Sequence, residues 1–205
     1  GSVFEELVRL LATILQVDVA FVARPDAGQP EGMRILAMFC GGRVMQDIPY
    51  PLPGTPCSTV LGQGFRAYPA NVQGLFPDDK EMREAGCESY AGHPVTALDG
   101  TPLGLVSVAS RRPLAQLDRV KATLKIFAMR AAAEIERLRA GEAQKQAVED
   151  LRQRETQYRA IFESSLDGLF LWNQDLRLVD VNPARCNLYG HSREEMLGKT
   201  YPPTM

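Results

Sequence analysis

Three side chains in the first half of the sequence carry groups that could bind a ligand or react: the thiols of Cys57 and Cys87 and the imidazole of His93. The run Thr55-Pro56-Cys57 is typical of a helix start, with Thr55 at the N-cap and Pro56 at the first helical position. A thiol there would lie at the positive end of the helix dipole, which stabilises the thiolate and lowers the pKa. The alternative is that Cys57 is a small apolar residue packed beneath a loop.

His93 stands inside a predicted strand, directly before Pro94. It could face a pocket as a ligand donor or be a satisfied polar residue of the sheet. Several aromatic residues are candidates to line an apolar pocket whose tyrosine hydroxyls orient a ligand, although most would equally fit an ordinary core: Phe39, Tyr50, Tyr68, Phe76 and Tyr90. Two histidines, and four cysteines without CxxC spacing, predict neither a metal site nor a catalytic residue.

The composition is that of a globular chain that can bury a core. Of 205 residues, 45% are apolar and 23% charged, and the length allows one large domain or two small ones. The net charge of -2 gives no reason to expect nucleic acid or direct membrane contact. No apolar run approaches the ~20 residues of a membrane span, and the scattered cysteines are typical of a reducing compartment. We therefore expect a cytoplasmic protein.

Apolar periodicity predicts a helix over residues 3–16, followed by a sheet. The segments 17–24, 33–40, 87–97 and 102–111 read as strands, and the last two are joined by the tight-turn signal Asp99-Gly100. Strands 33–40 and 102–111 are apolar on both faces, so both faces of the sheet should be covered. The run IPYPLPGTP has four prolines in nine residues, which argues against a central strand.

From about residue 115 to 163 the pattern becomes helical for nearly fifty residues. One apolar stripe contains Val120, Leu124, Phe127, Ala131, Ile135 and Leu138, and a second contains Val148, Leu151, Tyr158 and Phe162. The step from Ile135 to Val148 is thirteen residues, one short of two heptads, so the seam slips near Gly141. We expect a parallel homodimer through this coiled-coil helix, and the alternative is a single solvated helix.

After the long helix, residues 168–173 and 177–181 read as two short strands. Asn182 before Pro183 predicts one helix start, and Ser192 with Glu195 predicts a capping box at another. Two strands and two short helices are too little for an independent core, so the strands should pair locally or with a neighbouring chain.

Two parts of the sequence resemble known families. Residues 3–139 resemble a GAF domain, through the stretches TPCSTVLGQG, YPANVQGLFPDD, ESYAGHPV and DGTPLGLVSVASRRPL. Residues 161–205 resemble the first half of a PAS domain, through GLFLWNQDLRLVDVNPARCNLYGHSREEMLGK, and residues 140–160 resemble a signalling-helix linker. Such modules occur in bacterial sensor histidine kinases and in GGDEF/EAL-type enzymes of cyclic-di-GMP turnover.

The resemblance implies an α+β fold: an antiparallel sheet with helices on one face and a ligand pocket on the other, then a long coiled-coil helix and a truncated PAS domain. It implies a non-catalytic sensory module that relays the occupancy of its pocket through a dimeric helix to an output domain, a histidine kinase or a diguanylate cyclase. Two alternatives are a thiol enzyme of the free methionine sulfoxide reductase type and a ligand-free dimerisation module.

The resemblance leaves the ligand unknown. Bilin-binding relatives use a cysteine in the region of Cys87 and place a histidine directly after it, whereas here Glu88 follows and His93 stands six positions away. A bilin is therefore disfavoured at this stage. The NKFDE signature of cyclic-nucleotide GAF domains is absent, which disfavours that class as well. Cys186 departs from the NCRFLQ-like run of flavin photosensors, so a photochemical role is not expected.

Overall fold

The computed structural model describes residues 2–26, 28–29 and 31–200. It consists of two compact units, Gly1–Ala140 and Gly141–Met205. The predicted α+β class, with an antiparallel sheet and a long helix, is confirmed. The last five residues of the predicted PAS segment, 201–205, lie outside the described residues.

The first unit is built on a seven-stranded antiparallel sheet with the order β3-β2-β1-β7-β6-β5, in which β4 also pairs with β2. The strands are β1 Val19–Pro25, β2 Gly32–Cys40, β3 Arg43–Met45, β4 Ile48–Pro51, β5 Arg66–Tyr68, β6 Ser89–Thr96 and β7 Pro102–Ser110. The proline-rich β4 lies at an edge and pairs only with β2, because its prolines have no N–H to give to a second neighbour.

Helices pack on both faces of this sheet. They are α1 Val3–Leu15, α2 Val72–Leu75, α3 Lys80–Glu84 and α4 Leu117–Ser164, and a 3-10 turn forms at Pro56–Thr59. A capping box between Ser2 and Glu5 starts α1. Buried side chains of α1 and of the first part of α4 share one core cluster with the sheet, so this surface is called the helix face. The opposite surface, the loop face, is covered by the segments between β4 and β6.

The alternation of side chains between the two faces is interrupted in β2. Ala23 pairs with Ile35 and Val22 with Ala37, which leaves Leu36 as an extra residue in a β-bulge. Leu36 and Ala37 both pack on the helix face as a result, while Ile35 packs on the loop face with Met38 and Cys40. A regular period-two assignment of residues to the two faces therefore fails within β2.

The first apolar stripe of α4 belongs to the core of its own unit. Leu124, Phe127, Ala131 and Ile135 are buried against the sheet. The assignment of these four residues to a dimer seam is wrong, because the sheet and α1 already cover them. Leu138 is more than one third exposed.

The second unit contains the remainder of α4, the hairpin β8 Phe170–Trp172 and β9 Leu178–Val181, and the helices α5 Pro183–Tyr189 and α6 Arg193–Met196. The two strands pair with each other, the local one of the two predicted arrangements. Phe162, Leu178 and Val181 are buried, whereas Val148, Leu151 and Tyr158 of the second α4 stripe are exposed. Among the described residues, none of the helices has the length and apolar character needed to cross a bilayer.

Candidate functional site

The loop face of the first unit contains a cavity of about 160 Å³. We call it the Tyr50 cavity. Its floor is the sheet, and its walls come from β4, from the 3-10 turn at Cys57 and from α3. Most of its lining is apolar; the lining residues are Val19, Phe21, Ile35, Met38, Cys40, Ile48, Pro49, Tyr50, Cys57, Asp79, Glu81, Met82, Ala85, Cys87 and Ala109.

Local structure accounts for the position of each wall. Pairing of β4 with β2 sets Tyr50 opposite Met33, and the Tyr50 ring meets the ring of Phe21 edge to face with centroids 6.4 Å apart. Asp79 is the N-cap of α3, where its Oδ1 accepts a hydrogen bond from the backbone N of Met82 at 2.9 Å. The same capping interaction therefore holds Asp79 and Met82 at the cavity wall.

The hydroxyl of Tyr50 is the most informative polar group of the cavity. It is buried and has no hydrogen-bond partner of ordinary geometry within the part of the chain that the structure describes. Burial raises the pKa of Tyr50 well above 10, and proximity to Cys57 and Asp79 adds to the shift. A buried hydroxyl without a partner destabilises the fold by about 1–3 kcal/mol. Buried polar groups in native proteins are normally satisfied by a protein, water or ligand partner.

Cys57 lies deep in the same wall and is only 3% exposed. Burial raises the pKa of its thiol to about 11. The expected lowering of this pKa by a helix dipole is therefore wrong. The element that begins at Pro56 is a 3-10 turn of four residues, too short to offset the loss of solvation. The second interpretation of Cys57, a small buried residue, agrees with its position.

A line of buried hydrogen bonds runs from the cavity wall into the sheet. The hydroxyl of Tyr90 donates to Cys57 Sγ at 3.3 Å and lies 2.7 Å from Ser107 Oγ. Gly92 makes room for this arrangement, since a Cβ at that position would lie 2.5 Å from the Tyr90 hydroxyl and 2.7 Å from Ser107 Oγ. The cavity is thus connected through β6 to β7, the strand that precedes α4.

Asp79 is the buried charged group of the wall, at 7% exposure. Burial raises the pKa of its carboxyl, against the hydrogen bond from Met82, which lowers it. Within the described residues this carboxylate forms no ion pair. The lining contains a second acidic residue, Glu81, and no lysine, arginine or histidine.

The predicted site residues fall into three groups. Tyr50 and Cys57 line the cavity. Tyr68, Phe76 and Tyr90 pack on the same loop face outside the lining, where the Tyr68 hydroxyl donates to Thr59 Oγ1 at 3.0 Å. These three are aromatic core residues around the site.

Phe39 and His93 lie on the helix face instead. The His93 ring packs near Phe65, with centroids 6.5 Å apart, and its Nδ1 is 2.8 Å from the carbonyl oxygen of Pro94. The prediction that these two residues line the pocket is wrong. An aromatic or polar side chain in a strand can face either way, and only the register of the sheet decides.

Sequence reasoning missed Asp79, Glu81 and Met82. The sequence does contain a signal, because Asp79 stands directly before the helix-forming run Lys80–Glu84 and an aspartate in that position is a typical N-cap. Cys40 and Cys87 also line the cavity. In the described residues no group of three or more histidine, cysteine, aspartate or glutamate side chains is arranged to hold a metal ion.

Comparison with known families agrees with this architecture. Residues 1–135 match the GAF domain family, and residues 156–204 match the PAS fold. The chain belongs to the GAF domain family and carries a PAS fragment after the long helix. Both are sensory rather than catalytic domains. None of the curated proteins matches the sequence significantly.

Solved structures with the same fold come from several kinds of protein. The chromophore-binding domain of an unusual bacteriophytochrome from R. palustris has a TM-score of 0.55 at 13% identity, over 68% of this chain and 55% of that domain. The PixJ GAF domain of Thermosynechococcus elongatus, in its blue-light absorbing form, has a TM-score of 0.53 at 18% identity, over 72% and 90%. The GAF domain of an Acinetobacter phosphoenolpyruvate-protein phosphotransferase has a TM-score of 0.51 at 14% identity, over 68% and 84%. At these identities the likeness shows the fold.

These structures correct one expectation. The prediction that a bilin is disfavoured is wrong, because chromophore-binding domains of bacteriophytochromes are among the structures that share this fold. The prediction relied on a local mismatch, the glutamate that follows Cys87 and the distance of six positions to His93. A mismatch beside one attachment point does not exclude a chromophore from a fold that holds chromophores elsewhere.

Proposed function

We propose that this chain is the sensory part of a signal-transduction protein, in which a small molecule binds in the Tyr50 cavity and its presence is conveyed through β7 and α4 to an output domain. The observation that carries the proposal is the buried hydroxyl of Tyr50, which faces a largely apolar cavity and forms no hydrogen bond of ordinary geometry within the described residues. A ligand with one suitably placed polar atom would satisfy that hydroxyl and fill the space.

The contacts beyond the cavity supply a route to α4. Ala109 of β7 lines the cavity directly, and Ser107 of β7 is reached through Tyr90. At the end of β7, Asp18 Oδ2 accepts hydrogen bonds from Ser110 Oγ and from the backbone N of Arg111, both at 2.9 Å. A ligand that prefers one arrangement of β7 would therefore bias the segment from which α4 begins.

We further propose that α4 pairs with the same helix of a second copy through its exposed apolar residues. Val148, Leu151 and Tyr158 are exposed, and Leu151 and Tyr158 are one heptad apart. The output domain would be a histidine kinase or a diguanylate cyclase, as in the bacterial sensor proteins that the sequence resembles. The four cysteines are free thiols, which supports a reducing cytoplasm as the compartment.

Native mass spectrometry of the purified protein tests the binding step, with Tyr50→Phe compared against Tyr68→Phe. A retained small molecule is expected in the parent and in Tyr68→Phe, because the Tyr68 hydroxyl already has its partner in Thr59. Tyr50→Phe should lose the molecule, because it removes the hydroxyl that the polar atom of the ligand would contact. In ligand-free protein the same variant should be at least as stable as the parent, because it removes a buried hydroxyl that has no hydrogen bond of ordinary geometry. Equal retention by both variants, or a ligand-free Tyr50→Phe that is less stable than the parent, would contradict the proposed site.

Hydrogen exchange tests the relay in the same samples. Removal of the molecule should change the exchange rates of β7 amides and of the first turns of α4, and leave those of β3 unchanged. A change confined to the cavity walls would contradict a relay through β7.

A further inference from the structure

The charged side chains that line the Tyr50 cavity are both acidic. Asp79 and Glu81 are acidic, and no basic side chain lines the cavity in the part of the chain that the structure describes. The thiols of Cys57 and Cys87 add no charge at neutral pH, because burial raises the pKa of each to about 11. A positive charge on the ligand is therefore the one that this wall would stabilise.

Asp79 has unused capacity to bind such a charge. One of its oxygens, Oδ1, accepts from Met82 N, and neither oxygen has a further partner among the described residues. Arg83 is close enough to act on the charge of Asp79, but its guanidinium donates to the carbonyl oxygen of Pro77. A carboxylate at 7% exposure without a counter-ion is unfavourable, and a ligand cation would relieve that cost.

Tyr50 supplies the second polar contact. Its hydroxyl lies near enough to Asp79 and to the Cys57 thiol to interact with both, and it forms no hydrogen bond of ordinary geometry within the described residues. A phenolic oxygen can accept a hydrogen bond from an ammonium, which has three N–H donors to distribute. The rings of Tyr50 and Phe21, which meet edge to face, offer aromatic surface to the same cation.

The remaining walls set the size and polarity of the rest of the ligand. Phe21, Ile35, Met38, Ile48 and Met82 enclose the space with apolar side chains. The volume is about 160 Å³, close to the ~150 Å³ of an apolar protein cavity that holds one benzene molecule. A single ring or a short branched hydrocarbon fits this volume.

From these contacts we infer that the Tyr50 cavity recognises a small organic amine: a ring-sized apolar group that carries one protonated amino group, with Asp79 as the counter-ion and Tyr50 as hydrogen-bond acceptor. The inference rests on the proposed function, since it names the chemical class of the ligand for the same cavity. Asp79 selects for the positive charge of the ligand, and the apolar walls select for the size and shape of its hydrocarbon part.

Calorimetric titration with benzylamine and benzyl alcohol tests the inference on the full chain. The two probes share the ring, and only benzylamine is a cation at pH 7. Benzylamine should bind at least tenfold more tightly. In Asp79→Asn, benzylamine should lose ten- to hundredfold in affinity while benzyl alcohol changes less than threefold. Asparagine is also a good N-cap, so this variant keeps the start of α3.

Glu84→Gln is the matched control, because Glu84 is an exposed acidic residue of the same helix and does not line the cavity. It should leave the affinity for benzylamine within threefold. Equal affinity of the two probes for the parent protein, or equal losses in Asp79→Asn and Glu84→Gln, would overturn the amine assignment. The comparison of probes on the parent protein needs no variant to fold.

The outcomes also separate this inference from the proposed function. If benzyl alcohol binds as tightly as benzylamine and Tyr50→Phe weakens it, the cavity is a ligand site and the amine class is overturned. If neither probe binds and native mass spectrometry finds no retained molecule, both the inference and the binding step of the proposed function are overturned.

Discussion

The hydroxyl of Tyr90 lies 2.7 Å from Ser107 Oγ, which joins β6 and β7 by a side-chain hydrogen bond on the loop face of the sheet. Both residues are fully buried, and the same hydroxyl reaches Cys57 in the cavity wall. One phenol therefore connects the cavity to the strand that precedes α4. This contact is both a structural element of the core and the first step of the proposed relay.

Tyr90→Phe should lower the unfolding free energy of the first unit by about 2 kcal/mol, because Ser107 keeps a buried hydroxyl that has lost its partner. Hydrogen exchange of β6 and β7 amides measures the change. Tyr68→Phe is the matched control and should cost less than about 1 kcal/mol, since the Tyr68 hydroxyl is only partly buried. Equal losses of unfolding free energy in the two variants would show that the Tyr90–Ser107 hydrogen bond stabilises the fold no more than the partly buried Tyr68 contact does.

The raised pKa of Cys57 predicts that the protein loses stability at high pH. Its pKa rises from 9.0 to about 11 on folding, so the folded state holds a proton that the unfolded state releases between these values. The stabilisation is complete below pH 9 and is lost as the pH rises through about 11. The slope due to this thiol is about 1.4 kcal/mol per pH unit, and Cys57→Ala should remove it.

Urea denaturation followed by near-ultraviolet circular dichroism, at several pH values, measures that slope. Tyr50 and Tyr90 also have raised pKa values, so part of the alkaline loss should persist in Cys57→Ala. Cys186→Ala, which changes a partly exposed thiol in the other unit, serves as the control and should keep the full slope. An unchanged slope in Cys57→Ala would contradict the buried, protonated thiol.

The two apolar stripes of α4 should respond differently to substitution. Leu124 is fully buried in the first unit, so Leu124→Ala should cost about 3 kcal/mol of unfolding free energy. Leu151 is 68% exposed, so Leu151→Glu should change the stability of an isolated chain by less than about 0.5 kcal/mol. The same glutamate should weaken self-association, because like charges would meet across a parallel seam.

Light scattering coupled to gel filtration separates the two effects. A chain that stays monomeric at every concentration, with or without Leu151→Glu, would remove the proposed homodimer and leave the fold of the first unit untouched. A dimer that survives Leu151→Glu would place the seam on another surface.

Asn182 should be the most sensitive residue of the second unit. Its Oδ1 accepts from the backbone N of Leu169 at 2.8 Å and of Arg185 at 3.0 Å, and its Nδ2 donates to the carbonyl oxygen of Asp167 at 2.8 Å. Asn182→Ala should destabilise this unit by about 2–3 kcal/mol, through the lost cap and the buried groups left without partners.

Trp172 is the single tryptophan of the chain and lies in β8, so its fluorescence reports the second unit. Asn182→Asp keeps the acceptor that caps α5 and loses the donor to Asp167, so its fluorescence midpoint in urea should fall between those of the parent and Asn182→Ala. An alanine variant with the midpoint of the parent would contradict the role of this cap.

The strands and caps of this protein follow from local chemistry, which is why the sequence predicts them well. Alternation located β1, β6 and β7, and the Asn182-Pro183 signal located the start of α5, whose cap geometry the structure confirms. The capping box of Ser192 and Glu195 is confirmed as well. Each of these signals depends on residues within a few positions of one another.

The predictions that were wrong concern which part of the protein packs against a given face of a helix or strand. Periodicity shows that α4 has an apolar face near Leu124, but it cannot distinguish a sheet of the same unit from a second helix as the partner. The bulge at Leu36 changes which side of β2 faces the cavity, and no local signal marks it. For Cys57 the sequence indicated a helix dipole that would lower the pKa of the thiol. It could not show how deeply the thiol is buried, and burial dominates the pKa.

The outer edge of β2 is occupied twice, by β3 beside residues 38–40 and by β4 beside residues 32–35. The sheet therefore ends in two short strands on this side, and on the other side in the three residues of β5 and the rest of β6, where Pro94 has no N–H to donate. Long free strand edges are the usual route to aggregation, since they recruit strands from other chains. This arrangement lets the unit keep an open cavity next to its boundary while offering little backbone on which a fibril could grow.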